Sequence, residues 1–264
     1  MTLQNDSLDG KIAVITGGGS GIGKAAAIRL ASSGAKIALV DLKEENSKKV
    51  KELIEKAGGE AIVTDTDVSD PHRVEDSIRE VVEKWGRIDI VFANAGINGR
   101  GAPIEDLTPD DWDHILTTNL KSTFLVMKYA IPHMKENGGS IIITSSINGN
   151  RKFTGFGMSA YSASKAGQVA LGKMAALELA GYRIRVNIIC PGAIETNIGQ
   201  NTYPDEENLK KIRFPIEYPE GNQPLAHHAG QPEQVAELVY FLASDASNHI
   251  TGTEVYIDGA ESLL

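Results

Sequence analysis

Cysteine is almost absent. Cys190 stands alone among 264 residues, so no internal disulfide can form and a cysteine-built zinc site is excluded. Basic residues are also in short supply: 26 Lys and Arg face 35 Asp and Glu, a net charge of −9. A surface of that sign repels polyphosphate, which argues against nucleic-acid binding and against docking on an anionic membrane. No apolar run nears the roughly 18 residues that a membrane-spanning helix needs. The first residues, Met1-Thr2-Leu3-Gln4-Asn5-Asp6, carry neither a basic flank nor an apolar stretch, so the expectation is a cytoplasmic protein without a secretory signal. Metal chemistry is not expected either, because His227 and His228 have no partner at ligand spacing. The remainder is 41% hydrophobic and 23% charged, enough apolar side chain to build a sizeable soluble core.

Short apolar runs alternate along the chain with amphipathic or Ala-rich stretches. Seven of them recur, over 11–16, 36–41, 60–64, 88–93, 140–144, 184–189 and 254–257. Most are β-branched and nearly continuous, the pattern of parallel strands covered on both faces. Helical patterns lie between them. Over Ile22 to Ser33, Ile22, Ala26 and Leu30 fall on one stripe and Gly34 supplies a stop. Further helices are expected over 43–56, 109–136 and 160–180. These elements predict an α/β fold of the Rossmann-like, doubly wound kind: one domain over 1–264, a parallel sheet of seven strands, helices on both faces. Two stretches break the alternation. Residues 146–159, with Asn148, Gly149, Asn150, Gly155 and Gly157, read as a loop. Residues 197–231 carry Pro204, Pro215, Pro219 and Pro224, and a connection this long reads as a substrate lid, with a short helix near 205–213.

After the first strand comes Thr16-Gly17-Gly18-Gly19-Ser20-Gly21-Ile22-Gly23. A glycine-rich strand-to-helix turn lets backbone amides approach a diphosphate at the positive end of the helix. Its spacing is Thr-Gly-x-x-x-Gly-x-Gly, not the more familiar Gly-x-Gly-x-x-Gly. Asp41 closes the second strand, 18 residues beyond Gly23. A carboxylate there can accept both hydrogen bonds of an adenosine ribose diol and repels a 2′-phosphate, which favours NAD over NADP. The same residue could instead cap the helix that begins at Lys43. Farther on, Tyr161 and Lys165 stand at i and i+4, one face of a helix, where an ammonium can sit near a phenol. Every strand also ends in small or polar residues: Asp67-Val68, Asn94-Ala95-Gly96, Ser145-Ser146 and Pro191-Gly192 join the two sets above. A sheet built only for stability has no reason to gather these on one edge.

In these motifs the chain resembles the short-chain dehydrogenase/reductase family, in its compact one-domain branch, from Gly10 to Gly259. The resemblance rests on the glycine turn at 16–23, Asn94-Ala95-Gly96, Asn119, Ser146, Tyr161 with Lys165, and Pro191-Gly192-x-Ile194-x-Thr196. It implies that Tyr161 exchanges a proton with the substrate oxygen. Lys165 would hold the nicotinamide ribose and lower the tyrosine's pKa, and Ser146 would hydrogen-bond the substrate oxygen. Asn119 would order a water linking Lys165 to solvent. Gly17, Ser20, Gly21, Ile22 and Gly23 would bind the diphosphate, Asp41 the adenosine ribose, and Asp67 and Val68 the adenine. Asn94, Ala95 and Gly96 would pass beside the cofactor, while Pro191, Gly192, Ile194 and Thr196 would hold the nicotinamide amide. Ser146 and Tyr161 are 15 apart, which leaves Ser145 as the alternative to Ser146.

The expectation is an NAD-dependent oxidoreductase that interconverts a secondary alcohol and a ketone, with a sugar, a polyol or a cyclic alcohol as substrate. An NADPH-dependent 3-ketoacyl-carrier reductase and a non-catalytic cofactor-sensing regulator stand as alternatives. The resemblance further implies a homo-oligomer, a dimer or a homotetramer, acting on a small molecule.

Overall fold

The computed structural model describes residues 7–219 and 221–264. In chain order the strands are β1 (Ile12–Thr16), β2 (Lys36–Asp41), β3 (Ala61–Asp65), β4 (Ile90–Ala93), β5 (Gly99–Gly101), β6 (Gly139–Thr144), β7 (Ile184–Pro191), β8 (Thr202–Pro204) and β9 (Glu254–Ile257). The α-helices are α1 (Gly21–Ser32), α2 (Glu44–Lys56), α3 (Pro71–Trp85), α4 (Pro109–Leu116), α5 (Ser122–Ala130), α6 (Ser159–Leu179), α7 (Glu206–Leu209) and α8 (Pro232–Ala243). All seven expected strands join one parallel sheet in the order β3-β2-β1-β4-β6-β7-β9. The chain runs outward from β1 to β3, then returns to place β4 on the other side of β1. That reversal opens a crevice beyond the carboxyl ends of β1 and β4, the usual ligand position in such sheets.

The continuous apolar runs are explained by burial on both faces. Side chains alternate along a strand, and here both sets are covered. Val14, Val91, Ile141 and Ile143 pack with Val74 and Ile78 of α3, Leu125 and Met127 of α5, and Ala176 of α6. Ile15, Leu39, Phe92 and Ile142 face the other way, against Ala26 and Leu30 of α1, Val50 of α2 and Val239 of α8. Among the described residues no helix is long and apolar enough to cross a membrane.

Local signals set the helix ends. Asp70 accepts from the His72 amide at 2.8 Å ahead of α3, and Gly86 ends that helix at φ +80°. Thr108 and Asp111 form a reciprocal capping box at α4. The helix expected over 109–136 is divided. α4 passes into a π-helical turn, Thr117–Lys121, before α5, and a 3-10 turn at Ile131–His133 follows, containing Pro132.

The long proline-bearing segment holds the expected short helix as α7, only four residues long. It also holds β8, which pairs in parallel with β5, a two-stranded sheet that no apolar run announces. The Arg100 guanidinium donates to Asp111 Oδ2 at 3.1 Å and Asp205 Oδ2 at 3.0 Å, tying this small sheet to α4 and to the start of α7.

Candidate active site

The crevice at the carboxyl edge of the sheet has about 690 Å³ of free volume. Its walls include Gly17, Ser20, Gly21, Ile22, Asp41, Asp67, Val68, Asn94, Ala95, Gly96, Ser146, Tyr161, Lys165, Pro191, Gly192, Ile194 and Thr196. Of the expected site residues, Gly23 and Asn119 stand behind this wall and support it.

The glycine turn is shaped for an anion. Gly17 and Gly21 adopt φ +66° and +49°, which disfavours any residue with a side chain. A Cβ on Gly23 would lie 2.1 Å from the Gly17 carbonyl oxygen, so the helix can press onto the turn only without one. Ser20 is the N-cap of α1, yet its hydroxyl caps no amide. The first-turn N–H groups, at the positive end of the helix, are therefore left for a ligand. Asp41 is held by two amides: Oδ2 accepts from Gly19 at 2.9 Å and Oδ1 from Lys43 at 2.9 Å. It does not cap α2, whose N-cap is Lys43; it fixes the glycine turn and keeps its carboxylate at the crevice. An open set of helix amides beside a carboxylate fits the diphosphate and ribose of a dinucleotide.

Thr16, 3% exposed, organises the opposite wall. Its hydroxyl oxygen accepts from the amides of Asn94 at 2.9 Å and Ala95 at 3.0 Å, and its carbonyl accepts from Asn94 Nδ2 at 3.2 Å. Thr144 Oγ1 donates to Asn94 Oδ1 at 3.2 Å. The ends of β1, β4 and β6 are thus joined by side chains where the strand ladder stops.

At the far end, α6 brings Tyr161 and Lys165 to the same crevice, with Lys165 Nζ 5.6 Å from the Tyr161 ring centre. Lys165 is 3% exposed and donates to the Thr144 carbonyl at 2.8 Å. Burial pulls its pKa down from 10.5 to about 8. Burial likewise pushes the Tyr161 phenol above its usual value, and the opposing, lowering influence is a hydrogen bond with Ser146. The expected lowering by Lys165 is not seen here, because the ammonium is directed at Thr144. The two serines divide cleanly. Ser145 Oγ donates to the Lys165 carbonyl at 2.8 Å and fastens β6 to α6, while Ser146 meets Tyr161 and accepts from the Asn148 amide at 3.2 Å.

Asn119 lies fully buried in the π-helical turn. Its Oδ1 accepts from Ile97 N at 2.8 Å, and its Nδ2 donates to the Ile97 carbonyl and to Ser164 Oγ, both at 3.0 Å. The amide expected to order a water is engaged with protein and staples the loop between β4 and β5 to α6. Its main-chain carbonyl accepts from Thr123 Oγ1 at 2.9 Å and Gln168 Nε2 at 3.0 Å.

A family model described as enoyl-(acyl carrier protein) reductase matches residues 17–260. The chain belongs to the short-chain dehydrogenase/reductase family. It is 38% identical to the levodione reductase of Leifsonia aquatica over 258 residues, 96% of this chain and 94% of that one. The crystal structure of a 3-ketoacyl-ACP reductase from Sinorhizobium meliloti 1021 is 44% identical, with a TM-score of 0.91 over 96% of this chain and 99% of the other. That of a Brucella melitensis 3-ketoacyl-(acyl-carrier-protein) reductase complexed with NADH is 30% identical, with a TM-score of 0.84 over 97% and 100%. The protein is therefore an oxidoreductase of a family that binds a nicotinamide cofactor.

In this short-chain dehydrogenase/reductase, Thr16 and Ser145 stand within the sequence motifs, but their supporting bonds were not expected from sequence. Glu261, which also lines the crevice, has no local signature. Cys190 is fully buried filler in β7, its thiol pushed up to about 12 by burial. Among the described residues no group of three or more His, Cys, Asp or Glu is arranged to hold a metal.

Proposed function

We propose that the protein transfers hydride between NAD(H) and a secondary alcohol or its ketone. The observation that carries this reading is the convergence of Ser146, Tyr161 and Lys165 on one crevice, with Lys165 Nζ 5.6 Å from the Tyr161 ring centre. When bound, a nicotinamide dinucleotide supplies the hydride acceptor or donor. Tyr161 delivers a proton to the ketone oxygen in reduction and removes it from the alcohol in oxidation. Ser146 donates to the same oxygen as charge develops on it. Lys165 supplies hydroxyl-binding donors for the nicotinamide ribose. Asn119 and Ser145 position Lys165 and Tyr161 through α6.

The remaining crevice residues bind and orient. Gly17, Ser20, Gly21 and Ile22 receive the diphosphate, Gly23 lets α1 close on their turn from behind, and Asp41 receives the adenosine ribose and disfavours a 2′-phosphate. Asp67 and Val68 flank the adenine, and Asn94 to Gly96 line its path. Pro191, Gly192, Ile194 and Thr196 hold the carboxamide end. Beyond Tyr161 the wall mixes Asn98, His114, Asn148 and Asn201 with Ile97 and Met158, which suits a compact hydroxylated substrate such as a polyol, a sugar or a cyclic alcohol. The reading takes the protein as a cytoplasmic, one-domain homo-oligomer with a lid over 197–231, engaging neither nucleic acid nor membrane.

The similarity to 3-ketoacyl-carrier reductases supports a second reading, NADPH-dependent reduction of a carrier-bound acyl chain. A panel of polyols, sugars, cyclic alcohols, steroids and hydroxyacyl thioesters, run with NAD and with NADP and followed by reduced-nicotinamide absorbance, separates the two. For the mechanism itself, Tyr161→Phe is expected to lower turnover by about 10²–10⁴ while NADH binding, read by fluorescence, is retained. Full turnover in that variant would overturn it.

A further inference from the structure

Glu261, in the 3-10 turn that follows β9, places a carboxylate at a junction of four segments. Its Oε2 accepts from the Ala193 amide at 2.8 Å and from Gln223 Nε2 at 2.6 Å. Lys152 Nζ lies 3.4 Å from its Oε1 and donates to its main-chain carbonyl at 3.1 Å. Ala193 belongs to the wall after β7, Lys152 to the loop after Ser146, and Gln223 to the proline-bearing segment. Lys152 is 5% exposed, and Glu261 and Gln223 are each 8% exposed. The Tyr218 ring lies 5.1 Å from Lys152 Nζ, so the same segment meets the junction twice. A Cβ on Gly192 would stand 2.7 Å from Glu261 Oε2, so the turn can close on the carboxylate only at a glycine.

Burying two opposite charges is costly unless each is well partnered, and an apolar filling of the same volume commonly holds a fold as well or better. This pair is fully partnered, it lies beside the crevice, and hydride transfer has no use for it. It joins the segments that form the substrate end and touches neither Ser146, Tyr161 nor Lys165.

We propose that Glu261 is a positioning residue whose carboxylate clamps the Ala193 turn, the Lys152 loop and the Gln223 segment together, fixing the substrate end of the crevice and hence substrate affinity. This deepens the alcohol–ketone reading and depends on it only for the kinetic arm of the test. With the best substrate from the panel, Glu261→Gln is expected to raise KM about tenfold while kcat changes less than about threefold. Lys152→Met is expected to act in the same direction. Because the two groups share one interaction, the double variant is expected to lose less than the product of the two single losses. Gln223→Ala leaves the ion pair in place, and it is expected to raise KM more modestly in a chain that folds. An unchanged KM, a kcat that falls as far as kcat/KM, or losses that simply multiply would each overturn the proposal.

A second measurement needs no substrate. Hydrogen exchange of the full-length protein followed by mass spectrometry is expected to accelerate at residues 191–196 and 221–228 in Glu261→Gln and Gln223→Ala, with 12–16 unchanged. Equal exchange at 191–196 and 221–228 overturns the clamp whatever the substrate is. Accelerated exchange there, in a protein that oxidises no alcohol, upholds the clamp and removes the catalytic reading instead.

Discussion

Lys165 holds a charge where the fold would do better without one. Its pKa falls from 10.5 to about 8 by burial, and at 1.36 kcal/mol per pH unit that is a cost of roughly 3 kcal/mol to the folded state carrying the proton. The side chain is 3% exposed, so water screens little of it. Below about pH 8 folded and unfolded chains both bind the proton, and the cost is felt in full. From about 8 to 10.5 only the unfolded chain binds it, so stability rises with pH; above 10.5 the cost is gone. Lys165→Met keeps nearly the same shape, removes the charge and gives up the bond to Thr144, worth about 1 kcal/mol. The variant is therefore expected to gain about 2 kcal/mol at pH 7, or roughly 4–8 °C in melting temperature, and to lose turnover. The assay is thermal unfolding without cofactor at several pH values between 7 and 10.5, the gain shrinking toward the alkaline end. A variant that melts below the parent at pH 7, or a difference that does not change with pH, would refute the reasoning.

Three further outcomes follow from contacts at the same edge. Asp41→Ala removes the carboxylate bonded to the glycine turn, and the ratio of kcat/KM for NADP to that for NAD is expected to rise at least about tenfold; an unchanged ratio takes Asp41 out of cofactor choice. Ser146→Ala is expected to cost about 10²–10³ in turnover. It also removes the bond that lowers the Tyr161 phenol, so the pH at which alcohol oxidation reaches half its plateau moves upward. Ser145→Ala gives up its bond to the Lys165 carbonyl, which the helix still satisfies, so its expected signature is a loss of about 0.5–1.5 kcal/mol in stability with a smaller loss of rate. If the rate losses fall in the opposite order, the substrate oxygen is met by Ser145.

The sheet was legible because each strand satisfies one local rule. Ile141, Ile142 and Ile143 point to alternate faces, both faces are buried, and the run is apolar without interruption. The parallel register then carries Gly17, Asp41, Asn94, Ser146 and Pro191 to one edge, so residues adjacent to strand ends could be read as a site. What was not legible depends on partners far away in the chain. β5 and β8 are three residues each and owe their strand geometry to one another. The π-helical turn at Thr117–Lys121 interrupts a sequence that continues to look helical on both sides, and the Asn119 carbonyl within it accepts from the distant Gln168 as well as from Thr123. Lys152 and Glu261 are 109 positions apart, with no pattern around either to announce the other.

That division separates the reaction from the substrate. Tyr161, Lys165 and Ser146 stand on α6 and at the end of β6, and Thr16, Thr144 and Ser145 bind those elements together at the sheet edge. Their geometry follows from the core and varies only if the core does. The segments around the substrate end are held by discrete polar ties instead: Arg100 to Asp111 and Asp205, Asn98 Nδ2 to Thr202 Oγ1 at 2.9 Å, and the Glu261 junction. Each such tie can be exchanged without disturbing the sheet. The chain is similar over almost its whole length both to a levodione reductase and to a 3-ketoacyl-ACP reductase, two proteins named for different substrates. Substrate choice in this protein should accordingly follow substitutions at Asn98, Arg100, Lys152 and Gln223 more closely than substitutions in either face of the core.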